Sequence, residues 1–232
     1  MREIVLDTET TGFEPEQGDR IVEIGAIELM NHLPTGRLFH EYIDPERSMP
    51  QEAFEVHGLG DDFLRGKPKF AEIAAKFVSF IGDDAKLVIH NAKFDVKFLN
   101  AELKRAGHAT LPWSRALDTV ALARAKFPGS PASLDALCRR FGIDNSNRAL
   151  HGALLDSELL AEVYLELIGG RQPDLVLDRP VLAEQSDGSA QQTGAQRPRP
   201  VPLPSRLTEA EAAAHAEFVA RLGTDALWLR FG

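Results

Sequence analysis

The chain has one cysteine, two tryptophans and two tyrosines in 232 residues. A lone Cys138 excludes an internal disulfide framework and fits a reducing compartment. It lies in the helical pattern Leu134-Asp135-Ala136-Leu137-Cys138, which predicts a buried, unreactive thiol. Long apolar runs are also missing. None approaches the roughly 18 residues expected of a membrane span. No charged-then-apolar leader opens the sequence, so a cytoplasmic protein is expected. Positive charge is scarce: 26 Lys and Arg stand against 35 Asp and Glu, a net charge of −9. A protein that grips duplex DNA unaided draws its affinity from Lys and Arg neutralising phosphates, so that class is disfavoured. A nucleic-acid enzyme stays open, because metal ions can supply local positive charge and a partner can hold the substrate. What is present is an ordinary globular composition, 44% hydrophobic and 26% charged. The length allows one good domain and an appendage.

Residues 1 to about 170 read as α/β. Ile4-Val5-Leu6 is a short buried strand, Arg20 to Leu29 alternates as a second, and Leu38 to Ile43 is a third ending before Asp44-Pro45. Strands joined this closely are expected to be antiparallel neighbours. Phe70, Ile73, Ala74, Phe77, Val78 and Ile81 recur with a period near 3.6, which predicts a helix over 70–81. Leu87-Val88-Ile89 is a buried strand, followed by a helix from Lys93 to Ala106 stopped by Gly107. Two further helices are expected over Leu117–Lys126 and Ser133–Phe141, the second with Ser133 as N-cap and Gly142 as C-cap. The last helix runs from about His151 to Ile168 and ends at Gly169-Gly170. The pattern predicts a mixed sheet flanked by helices.

Three clusters carry the chemistry: Asp7-Thr8-Glu9-Thr10-Thr11-Gly12, Asn91 to Asp95, and His151 to Asp156. Asp7 and Glu9 stand at i and i+2 of a strand, on one face, with backbones ~6.6 Å apart. Two carboxylates that close repel each other unless a cation lies between them. Mg²⁺ and Mn²⁺ are the natural guests, being hard and oxygen-ligated. The bland alternative is an N-cap pair after a strand. Asp95 falls in the first turn of its helix, where an acid also complements the helix dipole. Asn91 is expected to cap that helix, and Phe94 and Phe98 to be core or wall residues. His151 and Asp156 are five apart, a turn of about 140° on a continuous helix. They converge only if His151 lies at or before the helix start, on a loop that Gly152 helps to move. A lone His is more often a structural hydrogen bonder. Beside a metal-bound water, its ordinary pKa of ~6.5 suits a general base.

Asp7-x-Glu9, Asp95 and His151-x₄-Asp156 resemble, in order and spacing, the motifs of the DEDDh 3′–5′ exonucleases. The likeness spans residues 1–170 and leaves all five positions intact. The segments Ile4 to Gly12, Glu52 to Gly58, Ser133 to Cys138 and His151 to Asp156 look like the proofreading subunits of bacterial DNA polymerase III. The resemblance implies a ribonuclease H-like fold: a mixed five-stranded sheet flanked by helices, with a flexible linker and a C-terminal helical tail. It implies hydrolysis with two divalent ions, ~3.5–4 Å apart, releasing nucleoside 5′-monophosphates. Asp7 would bridge the ions, Glu9 and Asp156 would complete the ligands, and Asp95 would act directly or through water. His151 would take the proton from the attacking water. Glu52 and His57, with main chain near Thr8 to Thr10, would contact the terminal nucleotide. Read alone, Glu52 could be a surface acid and His57 a turn residue before Gly58.

After Gly170 the composition changes. Residues 171–206 read as a flexible linker, with alternating prolines from Pro198 to Pro204. Order is expected to return at Leu207, where Thr208 and Glu211 form a capping-box pattern before an Ala-rich helix ended by Gly223. Phe218, Val219 and Leu222 lie on or near one face of it. Residues 207–232, with His215 and Trp228, resemble the family's tail for the polymerase III alpha subunit. Gln172, Leu175 and Leu177 resemble a peptide that binds the sliding clamp. A chance run of apolar residues is the alternative. The leading expectation is a proofreading exonuclease acting on single-stranded or frayed DNA 3′ ends. The competitors are a free-standing exonuclease for RNA or short oligonucleotides, which needs no tail, and a non-catalytic polymerase–clamp adaptor, which needs no acids.

Overall fold

The computed structural model describes residues 1–146, 148, 150–170 and 208–222. They belong to two units, Met1–Leu177 and Asp178–Gly232. The first is built on strand β1 (Arg2–Thr10), whose Ile4, Val5 and Leu6 are buried on both faces. β1 pairs antiparallel with β2 (Ile21–Met30), and β2 antiparallel with β3 (Leu33–Tyr42). On its other edge β1 runs parallel to β4 (Lys86–Ile89), and β4 parallel to β5 (Ala116–Asp118). The sheet order is β3-β2-β1-β4-β5, the mixed five-stranded sheet expected.

Alternation along β1 sends Ile4 and Leu6 to one layer and Val5 to the other. The first layer holds α3 (Phe70–Ile81) and α4 (Ala92–Arg105), with Phe77, Phe98 and Leu99 in the core. The second holds α5 (Thr119–Lys126), α6 (Leu134–Phe141) and α7 (Ala153–Leu167), with Leu137, Cys138, Leu160 and Val163 packed over Val5. Each of these Val, Leu and Phe side chains contributes about 1.5–3 kcal/mol when fully buried. α3 matches its expected bounds. Ser133 caps α6 by accepting the Ala136 N–H, and Gly142 ends it at φ +70°.

Several expectations need correction. Four strands are expected from the sequence. The fifth, Ala116–Asp118, lies partly in a stretch read as helix, because three residues are too few to show alternation. Asp118 then caps α5 by accepting the Val120 N–H (2.9 Å). Asn91 precedes α4 but its side chain makes no capping bond. It sits in the left-handed region (φ +66°), which Asn tolerates but which is not the extended geometry of an N-cap. Its own N–H donates to Asp118 Oδ1 instead (3.2 Å). α7 begins at Ala153, with Gly152 extended before it, so His151 is outside the helix. Two short helices, α1 (Gln51–His57) and α2 (Asp61–Leu64), had no apolar stripe to reveal them: Phe54, Val56 and Phe63 are exposed.

The start of α7 is fixed onto β2. The Ala153 N–H donates to Glu23 Oε2 (3.2 Å), and Ser157 Oγ donates to the Gly25 carbonyl (2.9 Å). Gly25 is required there, since a Cβ would lie 2.2 Å from Leu154 N. Because Gly25 pairs with Asp7 across the ladder, this close approach brings the front of α7 over the acidic end of β1.

In the second unit, α8 (Glu209–Arg221) carries the expected capping box: Glu211 N–H donates to Thr208 Oγ1 (3.3 Å) and Thr208 N–H to Glu211 Oε2 (2.9 Å). Phe218 and Leu222 are exposed, and Val219 is buried. Leu207, Gly223, Trp228 and the Gln172–Leu177 peptide lie outside the described residues. No helix among the described residues is long and apolar enough to cross a membrane.

Candidate active site

Seven sequence-predicted residues, Asp7, Glu9, Glu52, His57, Asp95, His151 and Asp156, line one cleft of about 740 Å³. The strand period decides how they meet. Asp7 and Glu9 lie on the β1 face that α7 covers, opposite Gly25 and Glu23 of β2. Thr8 points to the other layer, where its hydroxyl donates to Asp95 Oδ1 (2.7 Å). Asp95 reaches this point because α4 begins directly beyond β4, the parallel neighbour of β1. The cleft therefore opens at the C-terminal ends of β1 and β4, where both helix layers deliver acids.

The carboxylates resist ionisation together. Burial first, then the charges of Asp95, Glu9 and Asp156, raises the Asp7 carboxyl well above its ordinary range. Burial, then Asp156 and Glu23, pushes Glu9 up to about 8. Burial raises Asp95 to about 7 against the Thr8 hydrogen bond. Asp156 differs: burial pushes it up, but His151 beside it and the Arg148 fork outweigh that and hold it low. Hard oxygen donors that cannot all be ionised without help fit a divalent cation. Ligand atoms of Glu9, His151 and Asp156 lie within 4.8 Å of one another. This tight group differs from the expected ligand set: it includes His151 and not Asp7 or Asp95.

His151 and Asp156 do converge. Nδ1 of His151 lies 3.4 Å from Asp156 Oδ2, and its ring is half exposed at the cleft. The loop needs no swing to achieve this. Its backbone is held on α1 by His151 N–H to the Val56 carbonyl (3.1 Å), two residues before the Ala153–Glu23 bond. Glu52 is exposed at the rim and His57 is buried at the end of α1. The Leu59 N–H donates to His57 Nδ1 (3.0 Å), and Nε2 is buried with no hydrogen-bond partner among the described residues. Burial lowers the His57 pKa. A neutral ring with a spare donor is suited to a ligand oxygen.

Three lining residues were missed by the sequence reading. Arg148 grips Asp156 through Nε (2.5 Å) and Nη2 (2.7 Å). No spacing rule marks an Arg just after the polar stretch Asp144-Asn145-Ser146. Phe13 is 79% exposed, edge-on to Phe94 (6.3 Å). A large exposed ring directly after Gly12 was its available signal. His90, on the cleft wall, faces Thr119 Oγ1 (2.9 Å).

Comparison with known proteins places this geometry. The exonuclease family (RNase_T) matches residues 4–164. DNA polymerase III subunit epsilon of Rickettsia felis is 61% identical over 74% of this chain and 76% of its own. The Escherichia coli K12 protein of the same name is 45% identical over 98% of this chain and 97% of its own. The chain belongs to the DNA polymerase III epsilon family of exonucleases. As a member, it is a nuclease and a hydrolase. Exonuclease X in complex with 5′-overhanging duplex DNA has the same fold, with a TM-score of 0.56 at 23% identity over 71% of this chain and 90% of its own. So does the zinc-bound E. coli exonuclease I–single-stranded DNA complex, with a TM-score of 0.65 at 22% identity over 75% and 41%.

Proposed function

We propose that the chain is a metal-dependent 3′–5′ exodeoxyribonuclease that removes misincorporated nucleotides from a primer end, as the proofreading subunit of a bacterial replicative DNA polymerase III. The observation that supports it is the convergence of Asp7, Glu9, Asp95, His151 and Asp156 in one cleft. Two divalent ions, Mg²⁺ or Mn²⁺, held by Asp7, Glu9, Asp95 and Asp156, would supply an activated water and the charge that stabilises a leaving 3′ oxygen. His151 would serve as the proton acceptor, at a ring nitrogen. Thr8 orients Asp95 through its hydroxyl. Glu52 and His57 hold the terminal nucleotide, and the exposed face of Phe13 offers a stacking surface that any base can use. Unpairing costs least at a mismatch, which selects the wrong nucleotide without base-specific contacts.

Residues 1–170 form the catalytic domain in this reading, 171–206 the tether and 207–232 the contact with the alpha subunit, in a cytoplasmic replisome. Tethering raises the effective concentration of the cleft at the primer end. The sliding clamp is the partner proposed for Gln172, Leu175 and Leu177.

The test gives the full chain Mn²⁺ with a 3′-mismatched DNA primer and, separately, an RNA oligomer. Monophosphate release from the primer is expected. No release, an Asp7→Ala variant as active as the parent, or a preference for RNA overturns the reading. A chain ending at Ala183 should lose the alpha subunit in a pull-down; undiminished binding refutes the tail's role.

A further inference from the structure

Arg148 is the one Lys or Arg that lines the cleft among the described residues. Its side chain is 8% exposed. Nε and Nη2 take both oxygens of Asp156, at 2.5 and 2.7 Å. Nη1 donates to Asp135 Oδ1 (2.8 Å), and Nη2 reaches His151 Nδ1 (2.8 Å). One guanidinium thus occupies two groups that the reaction requires. A divalent cation on Asp156 and this bidentate fork compete for the same oxygen lone pairs.

We propose that Arg148 is the resident counter-ion of the metal-free site, holding Asp156 and His151 until a divalent cation displaces it onto Asp135. This rests on the metal-dependent reading above. The surroundings suit such an exchange. Asp135 is half exposed and is itself held by Asn145 Nδ2 (3.0 Å), so it remains as an anchor when Asp156 is released. The Arg148 backbone N–H is fixed in a turn to the Asn145 carbonyl (3.1 Å), so the side chain alone needs to move. Without a cation, four acids crowd the end of two strands, and Arg148 is the positive charge that relieves Asp7 and Glu9.

Two consequences follow. Metal binding is an exchange and not a simple addition, so the acids bind the ion more weakly than they would with Arg148 removed. The exchange also frees His151. While Nη2 donates to Nδ1, the neutral ring carries its proton on Nε2. Once Arg148 leaves, Nδ1 can take the proton and Nε2 becomes a free acceptor. A competent base is then present only in the loaded site.

The test measures Mn²⁺ affinity by electron paramagnetic resonance on the full chain, without DNA, for the parent, Arg148→Met and Arg148→Lys. Arg148→Met is expected to bind Mn²⁺ about tenfold more tightly. It should also lower the melting temperature of the metal-free protein, with Mn²⁺ restoring most of the loss. Arg148→Lys, which keeps the charge without the fork, should fall between. Unchanged or weaker binding by Arg148→Met, or an equal loss of melting temperature with and without Mn²⁺, overturns the exchange and leaves Arg148 a structural anchor. Should Arg148→Met fail to fold, the parent decides. Its Arg148 Nε–H resonance should move to a solvent-like position as Mg²⁺ is added, and a resonance unmoved at saturation overturns the proposal. A parent that binds no Mn²⁺ overturns the metal-dependent reading itself.

Discussion

Near its start, β1 buries Glu3 completely and surrounds it with donors. Tyr164 Oη donates to it at 2.6 Å, and His32 reaches it through its backbone N–H (3.1 Å) and Nδ1 (2.9 Å). On β2, Glu28 is equally enclosed and takes Arg2 (2.7 Å), Arg37 (2.8 Å) and Thr35 (2.8 Å). At the other end of β1, Asp7 and Glu9 meet a different environment. The charges acting on them are chiefly those of other carboxylates, relieved by Arg148. Glu9 is buried as Glu3 and Glu28 are, so burial alone does not mark function. Partnership does. An acid given donors by its own fold is a post that holds strands and helices together. An acid facing acids has its pKa raised instead, and in the function proposed above it is a cation ligand.

The largest effect should come from abolishing one member of the unpartnered set. Asp7→Asn is expected to lower exonuclease activity by about 10³-fold or more, the scale on which lost electrostatic stabilisation of a transition state is felt. The same change should raise the melting temperature of the metal-free protein, because it removes a repulsive charge. Calorimetry with a chelator present checks this. A fall in metal-free stability would mean that Asp7 is a post like Glu3, and the contrast between the ends would collapse.

That contrast was only half visible in the sequence. Asp7-x-Glu9 on a strand is legible, because a period of two fixes which side chains share a face. The requirement that His151 stand outside its helix also follows from arithmetic, and α7 starts two residues later. Helix α3 was readable to the residue because its core side is apolar throughout. What the sequence hides is partnership across long separations. Arg148 reaches Asp156 from a polar stretch with no periodicity, and Glu23 reaches Ala153 from 130 residues away. Glu3 and Glu9 look alike in sequence, each flanked by strand-forming residues. Tyr164, which distinguishes them, is 161 positions from Glu3. The short elements α1, α2 and β5 were unreadable for a simpler reason: each has too few residues for a period to emerge.

His151→Gln should rank second. General base catalysis is worth about 10²–10⁴-fold, so kcat should fall by that order. Mn²⁺ affinity should hold if His151 is a base beside the ions. The tight grouping of Glu9, His151 and Asp156 supplies the competing outcome. A large loss of Mn²⁺ affinity would make His151 a ligand, and the base would have to be sought elsewhere.

A smaller effect separates the ends by pH. Glu9 is raised from 4.5 to about 8 and Asp95 from 3.8 to about 7 in the folded, metal-free chain. Between those limits the folded chain binds more protons than the unfolded one, so stability falls as pH rises. The stabilisation is fully present below the unfolded values and is lost as pH climbs through 7 to 8. Metal-free melting temperature should therefore decline from pH 5 to 8, and saturating Mg²⁺ should flatten the decline. A flat metal-free curve would show that the acids are already compensated. The partnered acid Glu28 behaves in the opposite sense. Burial raises its pKa, but Arg2, Thr35 and Arg37 outweigh this and hold it low, so its contribution is lost only in acid.

The smallest effect should come from the partnered end. Glu3→Gln keeps the shape of the side chain and leaves one oxygen to accept from Tyr164. The new amide nitrogen then faces a donor of His32, so one hydrogen bond is lost from a fully buried group. The expected cost is about 1 kcal/mol, or roughly 2–4 °C in melting temperature for a chain of this size. Activity at a temperature where the variant is folded should match the parent, since Glu3 lies six residues down β1 from Glu9 and touches nothing in the cleft. Tyr164 is on α7, however, and α7 also carries Asp156. Lost activity with intact stability would therefore show that Glu3 sets the placement of α7, and the two ends of the strand would be one device.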